Sequence, residues 1–388
     1  MTNQDVDLAR LRTGRLERLQ HALLDHGLEG CLLFNEPNIR YATGISAMPV
    51  WSMSTFVRCA VVPAQGSPIL FEHPNSIHLA RRVADDVRPM HAWEFFDDPA
   101  AEARVWAGET VAALHELGIG DRLAVDRLGT PGFLALVERG IEIVDAAPVT
   151  QPAREVKTHE EIQLLRLGGT LVTDMLGELE AAIRPGATER ELFAVLTQRA
   201  LRGGAEYLAT STIASGPNTN PWRAEVTDRV LHAGDLVFVD TDTVAMEGYF
   251  FCVSRTFPCG DEPPTPPQRD AYRAARDWLR AMLEHVRPGL TCREIAATGP
   301  RLPERYMPQR YEVMAHGIGL EEESPSIAYP GDADPNGERV LEEDMALVIE
   351  VYAGARGARD GVKLGEQVVL TRRGLDVLAP YPFRDDLL

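Results

Sequence analysis

Leu8, Leu11, Leu16, Leu19, Leu23 and Leu24 recur at near-helical spacing, which predicts an amphipathic helix over 6–27 with Gly27 as its stop. The apolar run Cys31-Leu32-Leu33-Phe34 reads as a buried strand. Further apolar runs at 56–63, 68–72, 122–125 and 141–144 alternate with helical patterns near 76–86, 102–117 and 130–138, as an α/β domain requires. The pattern changes at Arg154-Glu155-Val156-Lys157. Thr158 and Glu161 form a capping box that opens a long helix running to Pro185-Gly186. These signals place a domain boundary near 155, giving domains 1–155 and 156–388.

The second domain repeats itself faintly. Ile183-Arg-Pro-Gly-Ala-Thr-Glu-Arg-Glu191 resembles Val286-Arg-Pro-Gly-Leu-Thr-Cys-Arg-Glu294, each ending one helix and capping the next. Each copy is followed by an apolar strand that reaches a carboxylate, Asp240 in Gly-Asp-Leu-Val-Phe-Val-Asp and Glu350 in Asp-Met-Ala-Leu-Val-Ile-Glu. Such turns are common singly. As a pair they predict two related halves that bring Asp240 and Glu350 to one centre.

Composition narrows the function classes. The 388 residues carry 39 basic and 58 acidic side chains, a formal charge of −19, which opposes binding to nucleic acid or anionic lipid. No run of about 18 apolar residues occurs, and the N-terminal 20 residues are charged where a signal peptide needs an apolar core. The chain reads as cytoplasmic, with a small-molecule substrate and neither nucleic acid nor membrane as partner. Five scattered cysteines without a CxxC pair argue against a disulfide framework.

The chemistry lies in carboxylates within apolar strands, where an unpaired charge costs at least several kcal/mol. Asp240 and Asp242, two apart, share a strand face; His316, Glu350 and Glu366 also sit on or beside apolar runs. Asp, Glu and one His scattered over several segments suit a hard divalent pair. Each alone is more often a satisfied structural group.

In order and context these residues resemble the pita-bread superfamily of methionine aminopeptidase, aminopeptidase P, prolidase and creatinase. The resemblance rests on Arg-Glu-Val-Lys-Thr-His-Glu-Glu-Ile from 154, Ala-Ser-Gly-Pro at 214–217, Ser-Arg-Thr-Phe at 254–257, His-Gly-Ile-Gly-Leu at 316–320 and the two C-terminal glutamates. It implies an α/β creatinase-like N-terminal domain followed by an α+β pita-bread domain with an internal pseudo-two-fold repeat, in a homodimer. The implied metal ligands fall on Asp240 or Asp242, Cys252, His316, Glu350 and Glu366, holding one or two ions of zinc, iron or manganese, a complement that Cys252 suggests is partly or wholly lost.

Three departures qualify this. Cys252 stands where the family has a second aspartate, and a soft thiolate suits zinc or iron better than manganese; the alternative is a plain strand cysteine with no ligand role. Ser-Gly-Pro-Asn-Thr-Asn-Pro-Trp222 lacks the histidine of the peptidases, and Glu323 replaces a second one. The Asp-Thr-Asp doublet, Asn-Pro-Trp222, Tyr311 and Glu322 look like the pita-bread dimethylsulfoniopropionate lyases, where Glu322 would be the base, with Tyr311 and His316 beside it. Trp51, Trp222 and Tyr311 would then face a substrate cation, or else simply pack. The expected activity is a metal-assisted lyase or hydrolase on a small zwitterionic carboxylate. The alternatives are an Xaa-Pro peptidase, a creatinase-like metal-independent hydrolase and a metal-free pseudoenzyme.

Overall fold

The computed structural model describes residues 6–46, 55–223 and 225–388. Trp51 lies outside the described residues. Asp7–Arg154 form one compact unit, and Glu155–Leu388 belong to a second.

The first unit is a mixed six-stranded sheet of β1 (Gly30–Leu33), β2 (Cys59–Pro63), β3 (Ile69–Glu72), β4 (Asp86–Pro89), β5 (Arg122–Val125) and β6 (Glu142–Asp145), in the order β4-β3-β2-β1-β5-β6. The leucine stripe forms the helix Leu8–Asp25, which buries Leu11, Leu19 and Leu23 and is capped by Asp7. Residues 76–86 do not form one helix. Only Ile77–Ala80 is α-helical, and 86–89 instead becomes β4, an edge strand pairing parallel to β3. The hydrogen-bonding edge of β3 overrides a weak helical pattern in a polar segment.

In the second unit the capping box of Thr158 and Glu161 opens the helix His159–Ala182. The repeat is visible in hydrogen bonds as well as in sequence. Thr188 and Thr291 each cap a helix reciprocally with a glutamate three residues on, and each bridges to a valine, Val230 and Val340 respectively. Ten residues beyond these valines stand Asp240 and Glu350.

The strands β7 (Tyr207–Leu208), β8 (Ile213–Ser215), β9 (Leu236–Asp240), β10 (Thr243–Val244), β11 (Phe250–Phe251) and β12 (Ser254–Pro258) make two small sheets, β11-β10-β7 and β12-β9-β8. A five-stranded antiparallel sheet follows, β14-β13-β15-β16-β17, from β13 (Val313–Ile318), β14 (Glu322–Ala328), β15 (Ala346–Gly354), β16 (Gly361–Thr371) and β17 (Gly374–Val377). The amphipathic helix Pro266–His285 packs on β15 and β16, where Tyr272, Leu279 and Met282 join Leu347, Ile349, Val351 and Leu364 in the main core. That core takes alternate residues of β15, so Glu350 points the other way, toward β9 and β12.

Candidate functional site

Strand register decides which polar side chains meet. Asp240 lies opposite Ser254 in the β9–β12 pair, and the Ser254 hydroxyl donates to Asp240 Oδ1 at 3.1 Å. Glu350 lies opposite Gly365 in the β15–β16 pair. Side chains alternate across a strand, so Lys363 shares the face of Gly365. Its ammonium, completely buried, donates to Glu350 Oε2 and lies 3.6 Å from Asp240 Oδ2. On another side it stands 3.3 Å from the centroid of the Tyr311 ring, with the Trp222 ring at 5.7 Å.

His316 arrives on β13 beside Val348 of β15, next to an irregularity in the β13–β14 register at Gly317. A side chain at Gly317 would collide with the Ser324 carbonyl, its Cβ only 2.3 Å away, so glycine permits this close strand approach. His316 Nδ1 bonds the Gly317 carbonyl at 2.9 Å, while Nε2 faces Glu350 Oε1 at 3.3 Å without hydrogen-bonding alignment.

Asp240, Asp242 and Cys252 form a cluster whose donor atoms lie within 4.8 Å of one another. The Cys252 thiol donates to Asp240 Oδ1 at 3.2 Å, and the Thr210 hydroxyl donates to Asp242. Burial, reinforced by Asp240, Asp242 and Glu350, pushes the Cys252 thiol well above its ordinary range. Burial and then the neighbouring Asp240 raise Asp242 to about 7. Burial alone would raise Glu350, but Lys363 and His316 bring it down to about 2. Burial acts against charge on His316 and Lys363, yet carboxylates win in both: Glu350 and Glu322 raise His316, and Glu350 and Asp240 raise Lys363. Burial, then Glu350 and Asp240, hold Tyr311 protonated far above the usual phenol range.

The structure thus brings together Asp240, Asp242, Cys252, His316, Glu350 and Tyr311. Glu366 does not join them. Adjacent to Gly365 on the same strand, it points to the opposite face, where Arg255 binds it in a buried ion pair at 2.5 Å. Burial outweighs this pairing and raises the Glu366 carboxyl. The expected cation–π role of Tyr311 is also changed, because the cation on that ring face is the protein's own Lys363. Trp222 packs edge-on to Tyr311, with centroids 5.6 Å apart, beside Ala214, Phe238 and Tyr352. Glu322 is exposed on β14, whereas Glu323 is buried and accepts from Lys157 Nζ at 2.7 Å and from the Leu320 amide at 3.1 Å.

Lys363, Gly365 and Lys157 escaped the sequence reading. A lysine inside Gly-Val-Lys-Leu-Gly-Glu breaks an apolar strand as a carboxylate does, so the same desolvation argument would have singled it out.

Two family descriptions match the chain: "Metallopeptidase family M24" over residues 163–372 and "Creatinase/Prolidase N-terminal domain" over 15–156. The chain is 33% identical to dimethylsulfoniopropionate lyase DddP of Roseovarius nubinhibens, covering 98% of this chain and 88% of that protein. It is 27% identical to the probable dipeptidase PepE of Mycobacterium tuberculosis, covering 94% of each. The solved Xaa-Pro dipeptidase of Bacillus anthracis superimposes with a TM-score of 0.78 at 22% identity, over 96% of this chain and 99% of that one.

The metallopeptidase description implies divalent ions, and the donors present fit a pair of them poorly. Two ions need carboxylates that bridge. Gly365 offers none opposite Glu350, Glu366 faces away, and Cys252 presents a protonated thiol already donating to Asp240. The space between Asp240 and Glu350 is crossed by the Lys363 ammonium. Among the proposed ligands, His316 Nε2, Glu350 Oε1 and Glu366 Oε2 are buried without a hydrogen-bond partner; the first two lie 3.3 Å apart, and Glu366 is turned to the opposite face, which leaves too few at the cluster for a two-ion centre. In fold, in motif order and in full-length likeness, the chain belongs to metallopeptidase family M24, the pita-bread superfamily, with a creatinase/prolidase N-terminal domain.

Proposed function

We propose that this protein is a lyase of the dimethylsulfoniopropionate-lyase kind, acting on a small zwitterionic carboxylate, and an inefficient peptidase. The observation that carries the reading is the division of labour at the adjacent residues Glu322 and Glu323. Glu323, where the family's peptidases have an imidazole, is buried and bound by Lys157, whereas Glu322 is exposed close enough to His316 and Tyr311 to raise both. An accessible carboxylate beside a protonated phenol suits removal of a proton next to a substrate carboxylate.

On this reading the Glu322 carboxylate takes the proton from the carbon next to the substrate carboxylate. The electron pair forms the carbon–carbon double bond, and the carbon–sulfur bond breaks to release a neutral thioether. Tyr311, held protonated, donates its O–H to the substrate carboxylate, and Glu322 returns its proton to solvent. Full-length likeness to DddP supports the substrate class. The reading includes a cytoplasmic homodimer, and light scattering on the purified protein checks the dimer.

Headspace gas chromatography for dimethyl sulfide, with acrylate followed by NMR, tests the proposal. Wild type is expected to release both products, and Glu322→Gln to lose roughly a hundredfold or more in rate, as removal of a general base does. Peptide hydrolysis should be weak, because a missing electrophilic donor costs about a hundredfold to a thousandfold. Brisk turnover of Ala-Pro with no dimethyl sulfide would reverse the assignment.

A further inference from the structure

We propose that the Lys363 ammonium is a tethered cation standing in for a divalent ion, so that the chain itself neutralises Asp240 and Glu350 and the site takes up no divalent ion tightly. Four observations converge on this. Lys363 has no exposed surface, and its Nζ lies against the carboxylates of Asp240, at the end of β9, and of Glu350, within β15, the corresponding strands of the two halves. The Tyr311 ring closes a further side at 3.3 Å, so carboxylates and a π-face surround the ammonium as they would a bound cation. Two of the neighbouring positions that would add oxygen ligands for a pair of ions carry Gly365 and the Cys252 thiol, which leaves Asp242 as the one further carboxylate clustered with Asp240. Strand alternation, moreover, fixes Lys363 on the face of Gly365 and Glu350, so its direction is a property of the backbone.

The chemistry is consistent. An ammonium is a compact point charge with three donors. It needs no bridging oxygens, which explains how this site can tolerate glycine and cysteine at those positions. A divalent ion entering between Asp240 and Glu350 would meet a positive charge already seated there. The inference does not depend on the lyase reading, since it concerns cation occupancy and is read without substrate.

The test uses the full chain, stripped with EDTA, desalted, and exposed separately to manganese chloride and zinc sulfate. Bound metal is measured by plasma mass spectrometry and stability by thermal melting. Wild type is expected to retain no stoichiometric ion and to melt at the same temperature with and without metal. Lys363→Met strands two buried carboxylates, so it should melt lower in EDTA and recover by a few degrees when a divalent ion is added. Lys363→Met with Gly365→Glu should retain a stoichiometric ion. The Cβ at 365 would lie 3.1 Å from Glu350 Cβ and from Ser254 Oγ, a fit that needs only slight movement. Stoichiometric uptake by wild type that disappears in His316→Ala overturns the proposal, and this measurement stands even if the lysine variants fail to fold. So does a Lys363→Met protein as stable as wild type in EDTA.

Discussion

Asp242 offers the sharpest quantitative check on the electrostatics of the site. Its carboxyl is buried, sits near Asp240, and is raised from 3.8 to about 7. At 1.36 kcal/mol per pH unit that difference makes ionised Asp242 cost the fold about 4 kcal/mol at alkaline pH. The sign follows from proton counting. Below pH 3.8 both folded and unfolded chains hold the proton and Asp242 has no effect. Between 3.8 and about 7 the folded chain keeps a proton that the unfolded chain has released, so stability falls as pH rises; above 7 the full cost applies. From pH 5 to pH 8 the loss attributable to Asp242 is roughly 3 kcal/mol. Glu350, lowered to about 2, contributes stability above its ordinary 4.5 that is lost only toward pH 2, outside this interval. His316, raised, contributes stability at low pH that is lost as pH rises through its folded value, and does so equally in both proteins compared. Asp242→Asn removes the charge alone. Asp242 adopts a left-handed φ of 25°, which asparagine tolerates at least as well, and an amide oxygen can still accept from Thr210. Urea unfolding in EDTA, followed through the transition of the unit that holds the site, should show the variant gaining on wild type by roughly 3 kcal/mol between pH 5 and pH 8. Parallel stability profiles would refute the burial and charge coupling inferred for Asp242.

Glu366→Ala leaves the Arg255 guanidinium buried without its carboxylate and should cost about 3–5 kcal/mol, measured by urea unfolding. Lys157→Met should be destabilising by a similar amount, because the buried Glu323 loses its cation, and Lys157→Met with Glu323→Leu should recover most of the loss in a double-mutant cycle. All five cysteines are buried, and burial raises Cys259 to about 11 and Cys292 to about 12, so a thiol reagent at pH 8 should label none in the native protein and five in denaturant; rapid native labelling of Cys252 would contradict its protonated, inward position. Thr158→Ala removes the side-chain half of a reciprocal cap and should lower stability by about 1 kcal/mol.

Local chemistry alone determined a good deal of this protein. The leucine stripe of the first helix, the capping boxes at Thr158, Thr188 and Thr291, and the apolar strands that reach Asp240 and Glu350 are short-range patterns, legible because helix capping and burial periodicity act within a few residues. Carboxylates in apolar strands pointed to a shared charge partner for the same reason. What that partner is depended on pairing between strands distant in sequence. Sequence order treats Glu350 and Glu366 alike, but register sets Gly365 opposite Glu350 and turns Glu366 to Arg255 on the other face. Likewise, nothing near Lys363 in the chain shows that its ammonium reaches Asp240, 123 positions earlier, or that Glu323 is held by Lys157 while Glu322 remains exposed. A one-residue step along a strand reverses the direction of a side chain, so only the folded sheets could decide which charges meet and which cation balances them.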